Sequence, residues 1–128
     1  MAVHPVNVLS LFSGIGGLDL AVKLAIPGAR TVLYVEGEAA AVAVLAAHME
    51  AGRLDAAPVW SDVTTLDARD LRGAVDCIIA GAPCQPYSVA GQRRGDEDER
   101  YLWPSIFRVI DECQPALVFL ENVPGLLA

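Results

Sequence analysis

Asn7-Val8-Leu9-Ser10-Leu11-Phe12-Ser13-Gly14-Ile15-Gly16-Gly17-Leu18-Asp19-Leu20 runs from an apolar stretch through a glycine cluster into a helical pattern. It predicts a strand over Asn7–Phe12, a tight turn, and a helix over Leu18–Ala25, since glycine lets the backbone turn sharply and approach a ligand closely. The glycine pattern is Gly-x-Gly-Gly, with Asp19 where a Gly-x-Gly-x-x-Gly turn would place its last glycine. An ordinary tight turn fits this cluster as well as a binding turn does, so the fold follows from it before the function does.

Further apolar runs rich in valine, leucine and isoleucine occur at Thr31–Val35, Val59–Trp60, Val75–Ala80 and Leu117–Leu120, bounded by glycine, proline, serine or aspartate. They read as strands, and their nearly continuous apolar character predicts cover on both faces, as in a parallel sheet. Helical patterns lie between them. Glu38–Ala51 is dense in good helix formers, with Ala39–Ala47 expected to be a buried alanine-rich helix, and Leu102–Cys113 sets Leu102, Ile106, Val109 and Ile110 on one face. Thr65–Arg72 fits either a short helix or a loop. The alternation gives an α/β fold, an open, doubly wound, mostly parallel sheet with right-handed crossovers. With no repeat and no linker, residues 1–128 read as one domain.

The chain has 128 residues, 54% hydrophobic and 20% charged, with a formal net charge of -7. A domain of this size buries roughly two-thirds of its unfolded surface and folds without staples. Cys77, Cys84 and Cys113 form no C-x-x-C pair, so no metal site is expected and a reducing, cytoplasmic setting fits. The N-terminus lacks a basic region, and the longest apolar block is far short of the ~18 residues of a membrane span, so neither signal peptide nor membrane partner is expected. A pI near 4.6 argues against stand-alone nucleic-acid binding, which draws most of its non-specific affinity from lysine and arginine.

Polar groups gather at the strand ends. Glu36 stands twenty residues after Gly16 at the end of the second strand, where an acid can accept both hydroxyls of a ribose, and Asp62 ends the third. Together with the glycine turn they point to a nucleoside-bearing cofactor, with NAD and S-adenosylmethionine both satisfying the pattern. The long irregular stretch from Gly81 to Arg100 leaves the fourth strand at the edge where open α/β sheets bind ligands. In Gly81-Ala82-Pro83-Cys84-Gln85-Pro86-Tyr87-Ser88 two prolines bracket the cysteine, which keeps it off a helix interior or central strand and on a stiff turn. That position suits a nucleophile, whereas Cys77 and Cys113 suit buried structural thiols. Glu121 ends the fifth strand. Neighbouring strands are ~4.8 Å apart, so Cys84 and Glu121 can face one substrate, and the apolar approach to Glu121 predicts a partly buried acid able to donate a hydrogen bond.

Phe12-Ser13-Gly14-x-Gly16-Gly17, Pro83-Cys84-Gln85-x-x-Ser88 and Glu121-Asn122-Val123, in this order and spacing, resemble the signatures of DNA (cytosine-5)-methyltransferases over almost the whole chain. The resemblance implies a Rossmann-like S-adenosylmethionine-dependent methyltransferase fold, here of about five strands, S-adenosylmethionine as cofactor, and a cytosine flipped out of double-stranded DNA as substrate, as in restriction–modification. By position, Phe12, Ser13, Gly14, Ile15, Gly16 and Gly17 would hold the methionine part of the cofactor. Glu36 would bind the ribose and Asp62, followed by Val63, the adenine amino group, with Pro83 and Leu102 also near the cofactor. Cys84 would attack C6 and Glu121 would hydrogen-bond N3, making C5 electron-rich enough to take the methyl group. Gln85, Ser88 and Arg100 match DNA-contacting positions, and Asn122 would anchor the cysteine loop. The chain departs from the family pattern at Ser10, where aspartate is frequent, at Ala82, where phenylalanine is, and at Gly37, where a bulky residue often follows the ribose-binding acid.

The same resemblance implies that a complete enzyme continues past Ala128 with more strands and a target-recognition domain. The fifth strand would then be an unprotected edge. Three readings follow: a catalytic subunit that needs a second polypeptide, a non-catalytic fragment or cofactor-binding module, and an NAD-dependent Rossmann protein. The last is disfavoured because hydride transfer has no use for Pro-Cys-Gln opposite Glu-Asn-Val. His4 and His48 have no partner pattern, and Trp60 and Trp103 read as core or loop anchors.

Overall fold

A glycine turn that folds a helix back over its own strand commits the next strand to lie parallel to the first, and the rest of the chain repeats this. The computed structural model describes residues 4–81 and 102–121. The elements are β1 (Val6–Leu11), α1 (Gly17–Ala25), β2 (Ala29–Val35), α2 (Ala39–Glu50), β3 (Val59–Trp60), β4 (Cys77–Gly81), α3 (Leu102–Cys113) and β5 (Leu117–Glu121). Thr65–Arg72, open between helix and loop, lies among two short 3-10 turns at Val63–Thr65 and Arg69–Leu71. The strands form one parallel sheet in the order β3-β2-β1-β4-β5. The order reverses between β1 and β4, which is the topological switch point of a doubly wound sheet.

Right-handed crossovers then put α1 and α3 on opposite faces. On the α1 face, Val8, Ala29, Cys77 and Ile79 pack under Leu18, Val22 and Ile26. On the α3 face, Leu9, Leu11, Val35, Ile78 and Ala80 pack with Ile106, Val109 and Cys113 and with Val63, Leu66 and Ala68 of the β3–β4 connection. A register shift after Val8 and Thr31 brings Tyr34 opposite Ser10 and Val35 opposite Leu11, so β1 and β2 end level.

Arg108 ties that connection to α3. Its guanidinium donates to the carbonyls of Leu66 (2.7 Å) and Val63 (2.8 Å) and pairs with Glu112 (3.0 Å), whose carboxylate also accepts from the Ala68 amide (2.8 Å). Arg108→Ala leaves two carbonyls without their donor and is expected to cost about 2 kcal/mol in urea unfolding, with Arg108→Lys restoring only part because the fork geometry is lost. An unchanged midpoint would show that the apolar contacts alone hold the segment.

Three expectations change. α2 is not a buried helix: only Leu45 is buried, against Tyr34 and Leu54, because alanine offers little apolar area and the apolar residues of α2 surround it rather than forming a stripe. Cover on both faces holds for β1 and β4 but not for β5, where Leu117 and Phe119 are about half exposed (50% and 52%) and Leu120 is exposed too. Phe12 leaves β1 altogether, with φ of 53° in the left-handed region. Among the described residues no helix is long and apolar enough to cross a membrane.

Candidate functional site

The turn after β1 needs three left-handed residues, Phe12 (φ 53°), Gly14 (φ 57°) and Gly16 (φ 88°). Gly16 is also closely packed, since a Cβ there would meet the methyl tips of Leu54 and Leu45, which would have to shift. Its amide donates to the Ser13 carbonyl (2.9 Å), and the Ser13 amide donates to the Val35 carbonyl (3.2 Å), which fastens the turn to the end of β2. Ser13 is itself buried, its hydroxyl paired with Ser10 at 2.8 Å.

Beside this turn lies a cleft of about 220 Å³ that brings together Phe12, Glu36, Asp62, Val63 and Leu102. Val35, Gly37, Glu38 and Ser61 also line it, and of these the sequence motifs pointed to Gly37 alone. Gly37 had a legible signal, as the unusual small residue after the acid. A Cβ on it would lie 2.9 Å from the Ser61 carbonyl, so the strand ends approach too closely there for a side chain. The other residues of the glycine turn stand around this cleft rather than in its wall: Ser13 and Gly16 are buried, Ile15 and Gly17 are exposed, and Gly14 faces Glu36.

Glu36 follows β2, held by its amide, which donates to the Trp60 carbonyl (2.9 Å). Its Oε2 is shut off from water and has no hydrogen-bond partner among the described residues. Burial raises the Glu36 pKa, with Glu38 adding to the rise and the Gly14 backbone opposing it. Asp62 is the opposite case. It is exposed, and the Thr64 hydroxyl (2.7 Å) and amide (2.9 Å) both donate to its Oδ1, which lowers its pKa and keeps it ionised. One acid thus waits for a donor, and the other is charged and aimed by its own loop.

Gly81 and Glu121 are register partners at the ends of β4 and β5. A Cβ on Gly81 would lie 3.6 Å from Glu121 Oε2 and 3.8 Å from the Phe12 carbonyl, so a bare backbone step separates the β5 acid from the glycine turn. Glu121 is exposed rather than partly buried, because β5 is the sheet edge and its apolar neighbours are exposed as well. Pro83, Cys84, Gln85, Ser88, Arg100 and Asn122 lie outside the described residues. Cys77 and Cys113 are buried free thiols, and burial raises the pKa of each, as befits packing cysteines. Among the described residues no cluster of histidine, cysteine or acidic side chains is arranged to hold a metal.

Comparison with known proteins gives this arrangement a lineage. The type II methyltransferase M.PspPI of Psychrobacter sp. is 37% identical over 98% of this chain, which spans 30% of that protein. M.AquIA of Picosynechococcus sp. is 32% identical over 94% of the chain, which spans 50% of it. The chain therefore covers half or less of the length of these curated relatives. A mutant DNMT2 from Spodoptera frugiperda has the same fold, with a TM-score of 0.71 at 24% identity over 95% of this chain and 37% of that one. The family model for C-5 cytosine-specific DNA methylases matches residues 6–128, from the first strand through every strand end described above, and the chain belongs to that family.

Proposed function

We propose that the chain is the cofactor-binding and catalytic part of a DNA (cytosine-5)-methyltransferase that uses S-adenosylmethionine. The observation that carries this is the orphan Glu36 oxygen. A buried acceptor without a donor costs about 1–3 kcal/mol, and because Glu36 borders a cleft at the sheet's ligand-binding edge, a turn of its carboxyl into that cleft would let it accept from the vicinal hydroxyls of a ribose. Asp62 fits the same ligand, since Thr64 occupies Oδ1 and orients Oδ2 toward an amino group. Phe12, Val63 and Leu102 would supply the apolar walls, and the glycine turn the backbone that meets the methionine part.

When bound, S-adenosylmethionine supplies the methyl group. Cys84, as thiolate, forms a bond from Sγ to C6 of the flipped cytosine, and Glu121 hydrogen-bonds N3, so that electron density collects at C5. After methylation the C5 proton leaves, the S–C6 bond breaks, and the thiolate is regenerated. Pro83 stiffens the cysteine turn, Asn122 anchors it, and Gln85, Ser88 and Arg100 face DNA. Double-stranded DNA is the proposed partner, although a net charge of -7 leaves most phosphate contact to another surface. The exposed apolar residues of β5 support a second polypeptide that covers this edge and carries target recognition. Buried free thiols at Cys77 and Cys113 fit a reducing, cytoplasmic compartment.

Calorimetry with S-adenosylhomocysteine tests the cofactor, and Glu36→Gln tests the acid. The raised Glu36 pKa means that ionisation costs the folded state stability, present in full below the ordinary glutamate pKa of ~4.3 and lost as pH rises through the folded-state value. Glu36→Gln is therefore expected to raise Tm at pH 7 and to weaken S-adenosylhomocysteine about tenfold, the Tm gain shrinking below pH ~4. Binding of NAD but not S-adenosylhomocysteine would overturn the reading. Transfer of labelled methyl to DNA, with and without the proposed target-recognition polypeptide, separates an active chain from a non-catalytic one.

A further inference from the structure

Asp19 is a buried carboxylate, 3% exposed, for which the chemistry above has no use. It sits in the first turn of α1, whose N-cap, Gly16, has no side chain to cap the helix. An acid at this position commonly reaches back to the N-cap amide. Here the Gly16 amide is already bonded to Ser13, and Asp19 reaches inward to the sheet instead. Its Oδ2 accepts from the Ser10 hydroxyl (2.9 Å) and its Oδ1 from the Thr31 hydroxyl (2.9 Å). Helix, β1 and β2 are thereby joined at one carboxyl group, whose pKa burial raises while the Ser10 and Thr31 bonds hold the rise back.

The direction of these bonds matters. Ser10 has one hydroxyl proton, and a carboxylate accepts it. Ser10 Oγ can then only accept from Ser13, 2.8 Å away, so Ser13 must turn its own proton inward, where the Ser10 carbonyl at 3.2 Å also lies. Ser13 is flanked by the left-handed residues Phe12 and Gly14, and its amide and carbonyl are bonded to Val35 and Gly16. Holding its side chain therefore fixes the last free part of the turn and sets Gly14 opposite Glu36.

We infer that Asp19 is a positioning residue for the cofactor turn, acting through a one-way line of donors, Ser13 to Ser10 to Asp19, which keeps the turn in its binding conformation before the cofactor arrives. The inference rests on the S-adenosylmethionine reading. Pre-organisation appears as affinity, because a loose turn must be ordered on binding. Asp19→Asn keeps the shape but can no longer accept at both atoms.

The test is a double-mutant cycle on S-adenosylhomocysteine affinity, measured by calorimetry on the full chain with melting followed in parallel. Asp19→Asn and Ser13→Ala are each expected to weaken binding about tenfold, and the double variant to be no worse than either alone, because both cut the same line. A merely structural carboxylate would lower Tm and leave the Kd of the folded fraction unchanged. Such a result, or losses that multiply in the double variant, would overturn the inference. Ser10→Ala breaks the line without touching the carboxylate and carries the cycle if Asp19→Asn does not fold. Wild-type chain that fails to bind S-adenosylhomocysteine would instead remove the cofactor reading, and this one with it.

Discussion

A duplex with 5-fluorocytosine at the target base is expected to become covalently attached to the chain, and Cys84→Ser to abolish the attachment completely. Addition of a thiolate to C6 gives an adduct that resolves only when the C5 proton is lost, and fluorine at C5 cannot leave in its place. The complex therefore accumulates instead of turning over. A serine hydroxyl is far less acidic than a thiol and supplies almost no anion near neutral pH, so the loss exceeds what a positional change would cause. The experiment uses the chain with S-adenosylmethionine and the proposed second polypeptide that carries target recognition, read by denaturing electrophoresis. An adduct that survives in Cys84→Ser would identify a different nucleophile. Cys77→Ser is the control, because a thiol buried inside β4 is expected to leave the adduct unaffected.

The second large effect is on the fold. Gly16→Val is expected to destabilise the chain by roughly 3–5 kcal/mol, combining a β-branched residue at φ 88° with overpacking against Leu54 and Leu45. On a domain of this size that lowers Tm by roughly 10 °C or more. Gly14→Ala provides the comparison. It has a similar left-handed φ of 57° but nothing within 4 Å of an added Cβ, so it carries the backbone strain alone. If the two variants melt together, the contact with Leu54 is not the deciding term.

Much of the sheet was legible because parallel strands buried on both faces are written as uninterrupted apolar runs. β1 and β4, at the centre, are the clearest examples. The same rule misjudged β5, whose run is equally apolar but which lies at the edge. Sequence records the hydrophobicity of a strand and not its neighbours. α2 misled for a related reason, since alanine raises helix propensity without specifying a buried face. At the site, Glu36 and Asp62 were legible because strand ends follow from strand assignment, and strand ends are where such a sheet binds. The contrast between them was not legible. Glu36 keeps one oxygen, Oε2, without a donor among the described residues while Asp62 is bonded by Thr64, and that depends on loop geometry. Asp19 could be read only as a missing glycine, because its partners Ser10 and Thr31 lie on two different strands.

The strand order also divides the work of the chain in time. Among the described residues, those lining the cleft lie, apart from Leu102, at or before Val63, at the ends of β1, β2 and β3. β4 and β5, which lead to the cysteine and end in the carboxylate, are added afterwards on the other side of β1. As the chain leaves the ribosome, the strand ends around Glu36 and Asp62 are thus specified before the strands that lead to Cys84 and end in Glu121. A nascent chain that has reached Val63 therefore already carries both acids of the cleft, before β4 and β5 exist.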